Sequence, residues 1–74
     1  MAAVEFKVEE YTGIIGERKN WKKEVRKISW NGKPAKYDIR EWDSEDPARM
    51  SKGITLSEEE MKALYDILKN IYEN

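Results

Sequence analysis

Asn31-Gly32-Lys33-Pro34 makes the middle of the chain a reversal. Asn-Gly takes the positive φ values of a tight hairpin turn, and Pro34 has no N–H with which to continue a ladder. Residues 21–30 before it and 36–42 after it therefore read as two antiparallel strands. In 36–42, Tyr37 and Ile39 face one way and Lys36, Asp38, Arg40 and Trp42 the other. In 21–30, strict alternation sets Trp21, Val25 and Ser29 against Arg26, Ile28 and Trp30, with Lys22 on the second side. Val25 and Ile28 share a face only if a bulge intervenes, so alternation alone leaves the register open.

Two further strands follow from the same period. Val4, Phe6 and Val8 alternate with Glu5, Lys7 and Glu9, and the run extends toward Ile14 and Ile15, with Gly13 and Gly16 as bend points. Glu17 to Asn20 reads as a loop, and so does the polar stretch 43–51 around Pro47. Gly53-Ile54-Thr55-Leu56 is a short fourth strand. Ser57 then N-caps a helix, and Glu60 completes a capping box. Met61, Leu64, Tyr65, Leu68, Ile71 and Tyr72 recur at helical spacing, and Ile67 widens the stripe. The expected fold is α+β: a four-stranded curved antiparallel sheet followed by one C-terminal helix, in a single domain spanning residues 1–74. One sheet face is expected under the helix and the other open.

A chain of 74 residues buries only about 60–65% of its unfolded surface, so it needs a staple. It has no Cys and no His, which removes disulfides and the usual zinc ligands. Oligomerisation remains, and the helix stripe is wider than one small sheet requires. A homodimer joined through Leu64, Ile67, Leu68, Ile71 and Tyr72 is expected. No apolar run approaches the ~18 residues of a membrane span, nor does the N-terminus resemble a signal peptide. A soluble cytoplasmic protein is expected, nucleoid-associated if bacterial.

The net charge is −1, but its distribution is uneven. Residues 1–17 are net −3, 41–74 are net −5, and 18–40 carry nine Lys or Arg against Glu24 and Asp38, for a net +7. Such a block presents one positive surface on a nearly neutral molecule. Lys22, Arg26, Lys33, Lys36 and Arg40 interleave there with Trp30 and Trp42, on or beside one sheet face. Aromatic rings stack unpaired bases and cations neutralise phosphates, which suits single strands. Asp38 is placed to orient Arg40 as an ion pair. Nothing is shaped to enter a duplex groove. Enzyme signals are poor, for no Ser-His-Asp or Cys-His arrangement exists without His and Cys. Gly13-Ile14-Ile15-Gly16 lacks the ending of a phosphate loop, and Asp43, Glu45 and Asp46 miss the calcium-loop spacing. No enzyme activity, cofactor or metal is expected.

Tyr37-Asp38-Ile39-Arg40-Glu41-Trp42, followed by Lys52-Gly53-Ile54-Thr55-Leu56-Ser57, resembles the positive cofactor 4 family of transcriptional coactivators. Residues 21–32 resemble its short bacterial, YdbC-like members. The resemblance covers roughly residues 20–70. It implies a homodimer built through helices and strands, with single-stranded DNA crossing concave sheet faces. It places the family's ridge aromatic on Trp30, its turn lysine on Lys33, its strand arginine on Arg40, and the lysine opening the fourth strand on Lys52. There are departures: Trp42-Asp43 stands for a Tyr-Trp pair, Asn31 replaces a lysine, and the 43–51 loop is shorter. The expected function is largely sequence-independent single-stranded DNA binding in transcription regulation, replication or repair. RNA binding and a protein-interaction module are the alternatives for the same face.

Overall fold

A computed structural model describes residues 5–73 of the chain. Val4, expected in the first strand, lies outside them. The central hairpin joins β2 (Trp21–Trp30) and β3 (Lys36–Asp43). Asn31 and Gly32 take φ values of 50° and 76°, and the Lys33 N–H donates to the Trp30 carbonyl at 2.9 Å. Two consecutive positive φ values match the right-handed twist of the strands, which is why Asn-Gly occupies the turn. Pairing runs from Trp21 opposite Asp43 to Ile28 opposite Lys36 without a shift. The register question is thereby answered: β2 pairs with β3 without a bulge, and Val25 and Ile28 lie on opposite faces.

The irregularity sits in β1 (Phe6–Arg18), on the other edge of β2. Its pairing slips between Val8 and Glu10, between Tyr11 and Gly13, and between Ile14 and Gly16. Glu9, Thr12 and Ile15 are the extra residues, and Gly13 and Gly16 follow two of them, as bend points should. Each bulge bends the strand and restores the facing of the next residues. Phe6, Val8, Tyr11, Ile14 and Glu17 consequently share a face with Trp30, Ile28, Arg26, Glu24 and Lys22. β1 runs on to Arg18, so the expected loop shrinks to Lys19-Asn20, with Lys19 at φ 57°.

The 43–51 segment is a correction to the sequence reading. It contains a strand, β4 (Asp46–Met50), turned back on β3 through Ser44-Glu45. Pro47 hid it, but β4 is an edge strand, where a missing N–H costs no ladder bond. The strand expected at 53–56 is β5 (Ile54–Leu56), which pairs with β3 further along the same edge. Gly53 lies between the two. A Cβ there would overlap Arg40 Cβ and the Ile39 carbonyl oxygen, so only glycine lets the chain cross so close to β3.

The helix α1 (Glu58–Tyr72) begins as expected. Ser57 Oγ accepts from the Glu60 N–H at 3.1 Å, and the Glu60 carboxylate accepts from the Ser57 N–H at 2.8 Å. Those bonds, the backbone one first, hold the Glu60 carboxyl below its ordinary range. The helix does not cover a sheet face as expected. It touches only β3 and β5 among the described elements, and none of its residues is buried. Met61 and Leu64 are half-buried, whereas Tyr65, Ile67, Leu68, Ile71 and Tyr72 are exposed.

The buried apolar side chains lie on one face of the sheet. Among the described residues Ile28 and Trp42 are the buried apolar ones, and both lie on the Phe6–Arg26–Arg40 face. The Phe6 ring contacts Trp30 at 5.4 Å and Trp42 at 5.5 Å. Phe6 pairs with Trp30, while Trp42 pairs with Lys22 at the far end of β2. In a flat sheet those positions would be about 26 Å apart, at about 3.3 Å per residue. The face must be strongly concave for one ring to reach both, and the three bulges of β1 supply bending.

Candidate nucleic-acid interface

Six side chains line this concave face as one ladder. The Arg26 guanidinium lies 4.7 Å from the Tyr11 ring and 4.0 Å from the Trp42 ring. Trp42 meets Phe6, Phe6 meets Trp30, and the Arg40 guanidinium lies 4.7 Å from Trp30. Aromatic pairs of this kind add about 0.5–1.5 kcal/mol beyond area burial, and desolvated cation–π contacts up to about 2 kcal/mol. Neither indole N–H, of Trp30 or of Trp42, has an acceptor among the described residues.

Both arginines are pinned by carboxylates two residues away. Arg26 donates to Glu24 through Nε and Nη2 at 3.2 and 3.0 Å. Arg40 donates to Asp38 at 2.5 and 2.7 Å, and to Met50 Sδ at 3.7 Å. Asp38 is fully buried and also accepts from Thr55 Oγ1 at 3.2 Å. The expected Asp38–Arg40 pair is thus present. Across the strands, Glu24 faces Arg40 and Arg26 faces Asp38. The four charges alternate in both directions and cancel.

This changes the roles expected of several residues. Trp42 is not an open platform for bases: only 2% of it is exposed, because curvature closes Phe6 and Arg26 over it. Arg26 and Arg40 are held in bidentate ion pairs, with side chains 11% and 15% exposed. Trp30 is half-buried at the end of β2. Lys22 and Lys36 are on the same face, half-buried and exposed respectively, and Lys36 stands close enough to Glu60 to help lower its carboxyl. Lys33 is exposed in the β2–β3 turn, and Lys52 is exposed in the link between β4 and β5. None of these four lysines is ion-paired among the described residues.

Sequence reasoning missed two groups. Tyr11 and Ile14 lie on the concave face, 69% and 51% exposed. Their signal was the spacing Val8, Tyr11, Ile14, Glu17, three residues apart with glycine following twice, which a period-two reading hides. At one end of the sheet, Asp43 accepts from Asn20 Nδ2 and from the Glu45 N–H, both at 2.8 Å, and lies 3.5 Å from Arg49. It clasps the β1–β2 turn to the β3–β4 turn. The bond from Asn20 leads the causes that hold its carboxyl below the usual aspartate range.

Residues 18–67 match the family Transcriptional Coactivator p15 (PC4). The chain belongs to the PC4 family. That family is one of DNA-binding transcriptional coactivators. A protein of Treponema pallidum (strain Nichols), described as uncharacterized, is 51% identical over 51 residues, which are 69% of this chain and 59% of the relative. The PC4 match takes in the hairpin, the charge checkerboard, the Gly53 crossing and the first turns of α1. It begins at the last residue of β1, so Phe6 and Tyr11 of the ladder lie outside the matched residues.

Proposed function

We propose that this chain binds single-stranded nucleic acid, with little sequence preference and no chemistry on it, as a homodimer. The observation that carries the reading is a concave face where Lys22 and Lys36 accompany a cation–aromatic ladder, in a chain of the PC4 family. Lys22, Lys33, Lys36 and Lys52 contact phosphates, since their charges are not committed within the described residues. Trp30 offers a partly open ring at the turn. Arg26, Arg40 and Trp42 form the floor: they hold the surface in shape and give it polarisable bulk. Single strands suit such a surface because stacking and phosphate contact both tolerate any base.

Dimerisation is supported by α1. Of its apolar face, Leu64 is half-buried, Ile67, Leu68, Ile71 and Tyr72 are exposed among the described residues, and Ile54 is 56% exposed. A contiguous apolar surface of this kind marks an interaction site, and a small domain with two buried apolar residues among those described has strong reason to share a core.

Tryptophan fluorescence titration with single-stranded and duplex oligonucleotides of matched length tests the reading. Tighter binding of the single strand is expected, and equal affinity for both would refute it. An RNA oligonucleotide of the same sequence decides the sugar preference, because stacking and phosphate contacts barely sense the 2′-hydroxyl.

A further inference from the structure

We infer that β1 supplies the principal base-stacking position of this surface, and that Tyr11 is the residue that stacks. The inference rests on the single-strand-binding reading above and deepens it.

The argument starts from which rings are open. Trp42 is sealed and Trp30 is half-buried, so neither presents a free face as large as that of Tyr11, which is 69% exposed. Exposure alone says little, because single apolar side chains are common on protein surfaces. What distinguishes Tyr11 is its backing. The Arg26 guanidinium lies 4.7 Å from its ring centroid. That guanidinium is itself fixed by two hydrogen bonds to Glu24 and by the Trp42 ring 4.0 Å away. Tyr11 is the outermost layer of a stack whose inner layers cannot move. Its inner face is occupied and its outer face is open.

A ring held this way loses little freedom when a flat partner settles on it, which is how rigid aromatic anchors gain affinity. The partner that fits is a nucleobase, which stacks on aromatic rings whatever its identity. Ile14 is on the same face, on the far side of the Thr12 bulge, and 51% exposed. It extends the apolar strip for the neighbouring base. Lys22 and Lys36 on the same face, neither ion-paired among the described residues, favour a polyanion over other flat ligands. The bulges at Glu9 and Thr12 make this possible: without them, alternation would carry Tyr11 and Ile14 to opposite faces.

The test titrates the full-length wild type, Tyr11→Ala, Tyr11→Leu and Tyr11→Phe with oligo-dT and with an abasic oligonucleotide of equal length. Circular dichroism confirms that each variant is folded. Wild type is expected to bind oligo-dT. Tyr11→Ala and Tyr11→Leu are expected to lose about 5- to 150-fold in affinity for it, the loss of one stacked base, whereas Tyr11→Phe keeps the ring and most of the affinity. On the abasic strand the four proteins should bind alike, and the salt dependence should not change, because no charge has been removed. Wild-type affinity in Tyr11→Leu, with wild type binding oligo-dT, overturns the role of Tyr11 and leaves the single-strand reading standing. An equal loss on the abasic strand also overturns it, since Tyr11 would then act only by supporting Arg26. Failure of the wild type to bind oligo-dT is the separate outcome that removes the reading itself, and the inference with it.

Discussion

Ionic strength is the sharpest probe of the charge arrangement on the concave face. Six cations on or beside that face were candidates for phosphate contact: Lys22, Arg26, Lys33, Lys36, Arg40 and Lys52. The bidentate pairs to Glu24 and Asp38 remove both arginines, leaving four lysines. Each phosphate neutralised on a single strand contributes about −0.7 to the slope of log K against log salt, so four give about −2.8 and six about −4.2. Between about 50 and 200 mM salt, four contacts predict about a 50-fold loss of affinity and six about a 300-fold loss. The assay is fluorescence anisotropy of a labelled oligo-dT short enough to occupy one protomer's face, titrated at several salt concentrations. Lys36→Gln should reduce the slope to about −2.1 and the loss to about 20-fold. A wild-type slope of −4 or steeper would show that the arginines leave their carboxylates to bind phosphate. A slope near zero would remove phosphate contact altogether.

Trp42→Ala is expected to cost about 3–5 kcal/mol of stability in urea denaturation, because Trp42 is the buried hub between Phe6 and Arg26; a stable, folded Trp42→Ala would contradict its place in the core. Asp43 has its carboxyl lowered chiefly by the Asn20 bond. A group whose folded pKa is depressed contributes stability that is fully present above the ordinary aspartate value and lost as the pH falls through the depressed one. Thermal melts should therefore fall in acid, and Asn20→Ala should be less stable at neutral pH yet flatten that acid dependence; unchanged curves would show that the clasp carries no weight. Leu68→Asp, on the exposed stripe of α1, should yield a folded monomer by light scattering and abolish the dependence of Tm on protein concentration. A dimeric Leu68→Asp would place the subunit interface elsewhere.

What could be read from the chain followed the range of the forces involved. The Asn31-Gly32 turn and the Ser57–Glu60 capping box are settled by atoms within three residues of one another, and both are present as read. Asp38 and Arg40, two apart on one strand, form their pair for the same reason. β4 was missed because Pro47 signals a loop unless the strand is known to lie at an edge, and edges are a property of the whole sheet. Trp42 was placed in the open because parity gives the face of a residue but not the curvature of that face. Its burial depends on Phe6, distant in sequence and brought across by bulges that alternation cannot represent. Tyr11 was overlooked through the same irregularity. Helix α1 was expected to roof one face of its own sheet. Its stripe was wide enough to suggest a second surface, and the chain leaves that stripe uncovered.

The three slips of β1 have a last consequence, for what the molecule refuses. β1 lies at the rim of the sheet and carries Ile14 and Ile15 exposed, a combination that invites another chain to add itself. An invading strand needs an unbroken row of amide and carbonyl groups to zip against. From Glu9 to Ile15 the run is interrupted every third residue, so no newcomer finds more than two residues in step. The device that brings Tyr11 onto the concave face thus also blunts this stretch of the rim against strand addition.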